Sequence, residues 1–284
     1  MPERTRSWLF APADRPDRCL KALAGAADQV IWDLEDAVAP EAKEEARRTV
    51  RELLRQTAGE PRVPWIRVNG LFTPWGPEDL LSLQDAVSDA RARWLVPKAD
   101  ARTVGRLEAW RREGKVRGQW LLLVETARGL DDLARAERPW LAGDAVRLAF
   151  GALDYQADLG AGPVGPDEAE LAVPRHLMAR RSRVFGWPAP IDAVYPGYRD
   201  PEGLRAAAER ARRFGFAGKM VIHPDQIGPV HEAFTPTAEE RAWAERVLAA
   251  SRAGGVATVD GAMVDRPVVE RARQILAFFD EGDG

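Results

Sequence analysis

The chain has 284 residues, 45% of them apolar and 30% charged, with a net charge of −3. These values fit an ordinary globular protein and provide no basic footprint for nucleic acid. A single cysteine, Cys19, excludes an internal disulfide; no apolar run reaches the ~18 residues that span a bilayer, and the N-terminus lacks a secretory core, so a cytoplasmic location is expected.

Taken in chain order, short apolar runs alternate with segments of helical period. Run 6–12 is followed by a helix over 15–26, and run 29–36 by one over 40–57. Pro40 and Glu41 suit the first turn of that second helix. Runs 65–69, 94–98 and 121–125 precede helices predicted over 77–90, 101–113 and 130–135. Run 146–151 leads to Asp154 and a helix over 167–185. Run 190–194 is followed by a helix over 201–214, and run 219–224 by one over 224–233.

Strands alternating with helices predict parallel βαβ units. Six of the eight runs carry an ionisable residue at or just past the C-terminal end. A closed barrel gathers those ends into one pocket, which favours a TIM (β/α)8 barrel over a doubly wound open sheet and points to an enzyme. The barrel is expected over 1–234 and a helical extension over 235–284. In the extension Thr237 and Glu240 form a capping box for a helix over 238–253. A break at Gly254-Gly255, an extended stretch over 256–263 and a helix over 267–279 follow. A barrel does not need such a tail, which reads as a cap on its own barrel or an arm to an active site.

Glu125 and Asp154 are candidate metal ligands, because an oxygen-only pair suits Mg²⁺ or Mn²⁺ better than Zn²⁺. Either could instead pair with an arginine. Arg67 could grip a substrate carboxylate with its fork or pair with Asp33, Glu35 or Asp36, and the two roles are compatible. Lys98 ends a strand, but Pro97-Lys98 lacks the apolar surround of a Schiff-base lysine. Gly160-Ala161-Gly162-Pro163-Val164-Gly165 has glycine spacing for a dinucleotide, yet it sits away from its strand and holds a proline. The three histidines lack zinc spacing, and Cys19 reads as a small buried residue.

Several of these segments together resemble one family. Arg6-Ser7-Trp8-Leu9-Phe10-Ala11-Pro12-Ala13-Asp14-Arg15-Pro16, Asp33-Leu34-Glu35-Asp36-Ala37-Val38, Ile66-Arg67-Val68-Asn69, Val124-Glu125-Thr126-Ala127-Arg128-Gly129 and Gly218-Lys219-Met220-Val221-Ile222-His223-Pro224 resemble the citrate lyase β-subunit-like CoA-ester lyases of the HpcH/HpaI aldolase superfamily. The resemblance implies a TIM barrel, Mg²⁺ on Glu125 and Asp154, and Arg67 on the substrate. Gly261-Ala262-Met263-Val264-Asp265-Arg266-Pro267 resembles the family's C-terminal motif, which implies that Asp265 is an acid/base supplied to a neighbouring subunit of a homotrimer or hexamer. Arg15 and Lys43 match positions associated with the CoA phosphates. The sixth run reads Gly151-Ala152-Leu153-Asp154-Tyr155, whereas many relatives have Gly-x-Glu-Asp or Gly-x-x-Asp-Phe.

The implied reaction is reversible cleavage of a 3-hydroxy-3-carboxylacyl thioester into a 2-oxo acid and an acyl-CoA. The alternatives are a thioesterase on the same site and a carrier-protein-dependent β subunit working beside an acyl-carrier protein.

Overall fold

The computed structural model describes residues 5–87, 91–165, 167–252 and 258–280. The end of the helix predicted to residue 90, the Gly254-Gly255 break and the start of the extended stretch at 256 lie outside the described residues. Eight parallel strands close into a barrel in chain order. They are β1 (Ser7–Pro12), β2 (Gln29–Asp33), β3 (Trp65–Arg67), β4 (Arg93–Val96), β5 (Gln119–Val124), β6 (Val146–Phe150), β7 (Ile191–Asp192) and β8 (Gly218–Val221). Between and after them run α1 (Pro16–Ala24), α2 (Lys43–Gln56), α3 (Gly76–Gln84), α4 (Ala101–Arg112), α5 (Ala127–Arg135), α6 (Ala152–Leu159), α7 (Ala172–Val184), α8 (Pro201–Arg213) and α9 (Ile227–Phe234). This is a TIM barrel.

The two-residue period of a strand explains how the barrel fills and where its chemistry sits. Trp8, Ile31, Trp65, Leu95, Leu121, Leu123, Ala149, Ile191 and Met220 form one buried cluster that draws on all eight strands. Trp8 and Trp65 meet in it with ring centroids 5.3 Å apart. Their neighbours of opposite parity face the helices. Trp32, for example, donates its ring N–H to the Cys19 carbonyl on α1. Two residues further along the inward parity, the chain reaches the C-terminal mouth. Ile31 thus leads to Asp33, Trp65 to Arg67, Leu123 to Glu125, and Ala149 to Gly151.

Strand β7 has only two residues, and buried ion pairs hold it in place. Asp192 is fully buried and accepts from Arg175 of α7 at 3.0 and 3.1 Å and from Lys219 of β8 at 2.5 Å. Arg175 and Arg210 of α8 both reach Glu168, at 2.8 and 3.2 Å. Burial alone would raise the Asp192 carboxyl, but the Lys219 and Arg175 charges hold it below the usual range. The clasp ties β7 to β8, α7 and α8.

Several elements differ from the sequence reading. The second run leaves the sheet after Asp33, not at 36: the Leu34 N–H makes a last bond to Arg67 O, and beyond it the Asp33 carboxylate takes the N–H groups of Glu35 and Ala37. The fifth helix begins at Ala127, three residues early, with Thr126 capping it through the Gly129 N–H at 3.0 Å. Helix α6 has no counterpart in the sequence reading. The strand stops at Phe150, and Tyr155 N–H closes a helical turn onto Gly151 O at 3.0 Å. Asp154 therefore sits in the first turn of a helix, not on a strand extension.

The chain forms two compact units, the second beginning at Glu232. Beyond α9 that unit holds α10 (Ala238–Arg252), β9 (Thr258–Val259), β10 (Ala262–Met263) and α11 (Arg266–Asp280). The capping box at Thr237 is present, with the Glu240 N–H donating to Thr237 Oγ1 at 3.1 Å and the Thr237 N–H to Glu240 Oε2 at 2.9 Å. The extended stretch is a hairpin turned by Asp260 and Gly261, both at positive φ as a type I′ turn requires. Ala244, Val247, Ala272 and Ile275 form its buried core. Among the described residues no helix is long and apolar enough to cross a membrane.

Candidate active site

The barrel mouth opens on a cavity of about 370 Å³ lined by Asp33, Asp36, Arg67, Glu125, Gly151, Ala152, Leu153 and Asp154, with Phe10, Leu123, Val194, Met220 and Ile222 as its main apolar wall. Arg67, Glu125 and Asp154, picked from three separate segments of sequence, thus share one pocket.

Glu125 is 2% exposed and fixed by two neighbours. The main-chain N–H of Lys98 donates to its Oε1 at 2.8 Å. To present that N–H, Lys98 adopts φ +51, a conformation that costs a side-chain-bearing residue free energy and recurs where function demands it. Gly151 lies under the other oxygen: a Cβ there would come within 2.5 Å of Glu125 Cβ and 2.7 Å of Oε2. Burial first, then the charges of Glu35 and Asp154, push the Glu125 carboxyl up to about 8. Glu35, half a turn of loop beyond β2, is pushed up to about 7 by burial, then by Asp36 and Asp33, against the opposing pull of Arg67 and Lys98. The pocket thus concentrates carboxylates beyond what its own cations balance.

Arg67 lies over the Phe10 ring, 4.8 Å from its centroid. Its Nε and Nη2 each donate to Asp33 at 2.6 Å. Nη1 lies 3.1 Å from Asp36 Oδ2 and 3.2 Å from Glu35 Oε2. Burial disfavours its charge, yet Asp33, Glu35 and Asp36 hold it protonated above its ordinary range. One edge of the fork is therefore committed to Asp33, and Nη1 on its other side donates to the exposed Asp36 carboxylate, a contact that an incoming ligand carboxylate would displace. The pairing with Asp33, Glu35 and Asp36 weighed from sequence is present.

The other sequence candidates are placed as follows. Arg15 is exposed, immediately before α1. Lys43 is 5% exposed, and its ammonium donates to the carbonyls of Leu34 and Glu35 at 3.0 and 2.9 Å. It shapes the loop that carries Glu35 and Asp36. Asp265 is exposed and caps α11, accepting the Val268 N–H at 3.1 Å. Cys19 is buried, its thiol pushed up to about 12, first by burial. Sequence reasoning missed Glu35 as a buried carboxylate and the backbone roles of Lys98 and Gly151. The inward parity of β2 pointed to Glu35, whereas nothing in sequence marks a main-chain N–H.

Among the described residues, no three His, Cys, Asp or Glu side chains converge as a metal cage. A pair is enough for Mg²⁺, which takes one or two carboxylates and keeps other oxygens. Glu125 and Asp154 fit that ion, because both line the cavity and their charges repel each other without it.

A closed barrel with acids and an arginine at its C-terminal mouth has the layout of a barrel enzyme. The model of the HpcH/HpaI aldolase/citrate lyase family matches residues 6–224, and the chain belongs to that family. A citrate lyase subunit beta-like protein of Deinococcus radiodurans is 35% identical, covering 97% of this chain and 98% of its own. A (3S)-malyl-CoA thioesterase of Cereibacter sphaeroides is 36% identical over 96% of this chain and 93% of its own. The crystal structure of CitE from Mycobacterium tuberculosis in complex with magnesium, acetoacetate and coenzyme A superposes with a TM-score of 0.81 at 35% identity, covering 98% of this chain and 99% of that one.

Proposed function

We propose that the protein is a Mg²⁺-dependent carbon–carbon lyase acting on 3-hydroxy-3-carboxylacyl thioesters of the citryl-, malyl- or citramalyl-CoA type. It would cleave them, or form them in reverse, with a 2-oxo acid and an acyl-CoA as the other side of the reaction. The observation that carries this reading is the fixed, buried Glu125 facing Arg67 across one cavity, in a chain of this family. Glu125 and Asp154 would hold the ion, which supplies Lewis-acid stabilisation of the oxygen charge that develops on cleavage.

The residues divide the remaining work. Arg67, locked by Asp33, offers its end-on edge to the carboxylate of the oxo-acid half and so contributes orientation as much as charge. The first turn of α6 lines the cavity at Ala152 and Leu153, whose main-chain N–H groups would support the same carboxylate. Asp265 would give a proton to the thioester carbon released by cleavage and remove it in condensation. We assign Asp265 to the site of a neighbouring subunit, in a homotrimer or hexamer, because its motif resembles the one that carries the acid/base in this family. Of the two residues matched to the CoA phosphates, Arg15 is exposed and able to reach a ligand, while Lys43 acts through the loop it holds. A cytoplasmic location is supported by the single buried cysteine.

The similarity to a malyl-CoA thioesterase favours a second reading, in which water attacks the thioester carbonyl at the same site. An acyl-carrier protein bearing the thioester is a further variant. Glu125→Gln and Asp154→Asn test the shared core. Both should abolish turnover and weaken Mg²⁺ binding measured by calorimetry while leaving the circular dichroism spectrum unchanged. Wild-type Mg²⁺ affinity in Glu125→Gln would contradict the assignment.

A further inference from the structure

Helix α6 carries Asp154, yet little packing holds it. Of its eight residues only Ala152 and Gln156 are buried, and its two leucines, Leu153 and Leu159, are exposed. Another device must keep Asp154 beside Glu125, and bonds to the end of β5 and the start of α5 supply it. The Gly151 N–H, just before α6, donates to Val124 O at 3.0 Å. In the last turn of the helix Asp158 Oδ2 accepts the N–H of Ala127, the first residue of α5, at 2.8 Å. The two bonds join Gly151 to Val124 and Asp158 to Ala127. They bracket Asp154 on one segment and Glu125 on the other.

Asp158 works against its own helix. A negative charge in the last turn of α6 opposes that helix's dipole. At α5 it meets the opposite end, where main-chain N–H groups lack partners within the helix and negative charge is favoured. Thr126 Oγ1 takes the Gly129 N–H at 3.0 Å, and Asp158 takes that of Ala127. The same arrangement occurs one unit earlier. Asp132 of α5 accepts the N–H of Ala101, the first residue of α4, at 3.1 Å, while Asp100 caps α4 through the Thr103 N–H at 2.6 Å. Ala101 closely follows Lys98, whose own N–H holds Glu125. Gly129 lets the first turn of α5 press on that loop, since a Cβ there would come within 2.3 Å of Ala99 O. Helices α4, α5 and α6 are linked in series at the segments that carry Lys98, Glu125 and Asp154.

Resting on the assignment of the cation to Glu125 and Asp154, we infer that Asp158 is a positioning residue for that site. It lies outside the cavity lining and acts through the helix it holds. By fixing α6 against the start of α5 it sets the spacing of the two carboxylates. Asp132 serves the Lys98 loop in the same way.

Calorimetric titration with Mg²⁺ tests this in Asp158→Ala, Asp158→Asn and Asp200→Ala, with circular dichroism confirming that each is folded at the titration temperature. Asp158→Ala should bind Mg²⁺ about tenfold more weakly than the wild type. Asp158→Asn keeps an oxygen for the Ala127 N–H and should recover to within about threefold. Asp200 caps α8 through the Gly203 N–H at 2.9 Å, so Asp200→Ala removes a helix cap away from α5 and α6 and should leave the affinity unchanged. Wild-type affinity in Asp158→Ala would overturn the inference. So would an Asn variant as weak as the Ala variant, which would trace the effect to charge near the ion. An equal loss in Asp200→Ala would overturn it too, by tracing the effect to general loosening of the barrel. A wild type that does not bind Mg²⁺ would instead remove the metal assignment, and the inference with it.

Discussion

Glu125 shows how a candidate metal ligand is shaped by its surroundings. Its carboxylate is held by a main-chain N–H from a residue in a costly conformation and lies over a glycine that no other residue could replace without a clash. Gly151→Ala should therefore displace Glu125 and weaken Mg²⁺ binding about 10- to 100-fold, as loss of a ligand's support does, with the fold retained. Calorimetry with Mg²⁺ checks this, and wild-type affinity would show that the cradle is incidental. Titration adds a second prediction. Glu35 and Glu125 ionise near 7 and 8 in the folded chain but near 4.5 unfolded, so between those values the folded, metal-free protein holds protons that the unfolded chain releases. Their contribution to stability is fully present below about pH 4.5 and is lost as pH rises through 7 and 8. Mg²⁺ needs Glu125 ionised, so the gain in Tm on adding it should be larger at pH 8.5 than at pH 6. A gain independent of pH, or one that survives in Glu125→Gln, would contradict this. Arg67→Lys should lower kcat/KM on the order of 100-fold, because a point charge cannot hold Asp33 with two bonds and keep an edge for substrate. Steady-state kinetics on the purified variant would show it.

The strands were legible as elements because their apolar runs stand out, and their parity already sorts barrel-filling residues from mouth residues. Ile31, Trp65 and Leu123 each precede a charged residue two positions on. Helix α6 was not legible. Eight residues following a glycine give too short a pattern for helical period to declare itself, and the cavity needs that helix to bring Asp154 beside Glu125. The bonds of Lys98 N–H and Lys43 Nζ to distant partners are tertiary events that carry no local signal. Strand β7 is the extreme case, since two residues cannot hold a sheet position by ladder bonds alone. Asp192→Ala leaves Lys219 buried without its partner and Arg175 with Glu168 alone, and should destabilise the protein by about 3–5 kcal/mol. The exposed pair of Arg48 with Glu44 and Glu45 offers the contrast, and Arg48→Ala should change stability far less. Thermal unfolding of the two variants compares them, and equal Tm values would show that β7 is held by packing instead.

At the scale of the whole molecule, the barrel carries the residues proposed to hold a cation and the substrate, while Asp265, the proposed proton donor, lies in a separate unit. Asp265 caps α11, a role worth about 1 kcal/mol that does not require its place in a family motif. If it completes a neighbour's site, Asp265→Asn should lose carbon–carbon cleavage yet bind Mg²⁺ normally. Mixing it with Glu125→Gln should restore part of the activity, because some sites then combine an intact barrel with an intact Asp265. Mixed oligomers that stay inactive after verified subunit exchange would rule out a shared site.

The central claim is that the mouth of this barrel breaks a carbon–carbon bond with the help of a divalent ion. It is tested most directly by incubating the protein with malyl-, citramalyl- and citryl-CoA, with Mg²⁺ or with chelator, and following 2-oxo acid, acyl-CoA and free CoA together. The account predicts equal amounts of 2-oxo acid and acyl-CoA from at least one of the three thioesters, and none with chelator. Free CoA released without any 2-oxo acid, or cleavage undiminished by chelator, would contradict it.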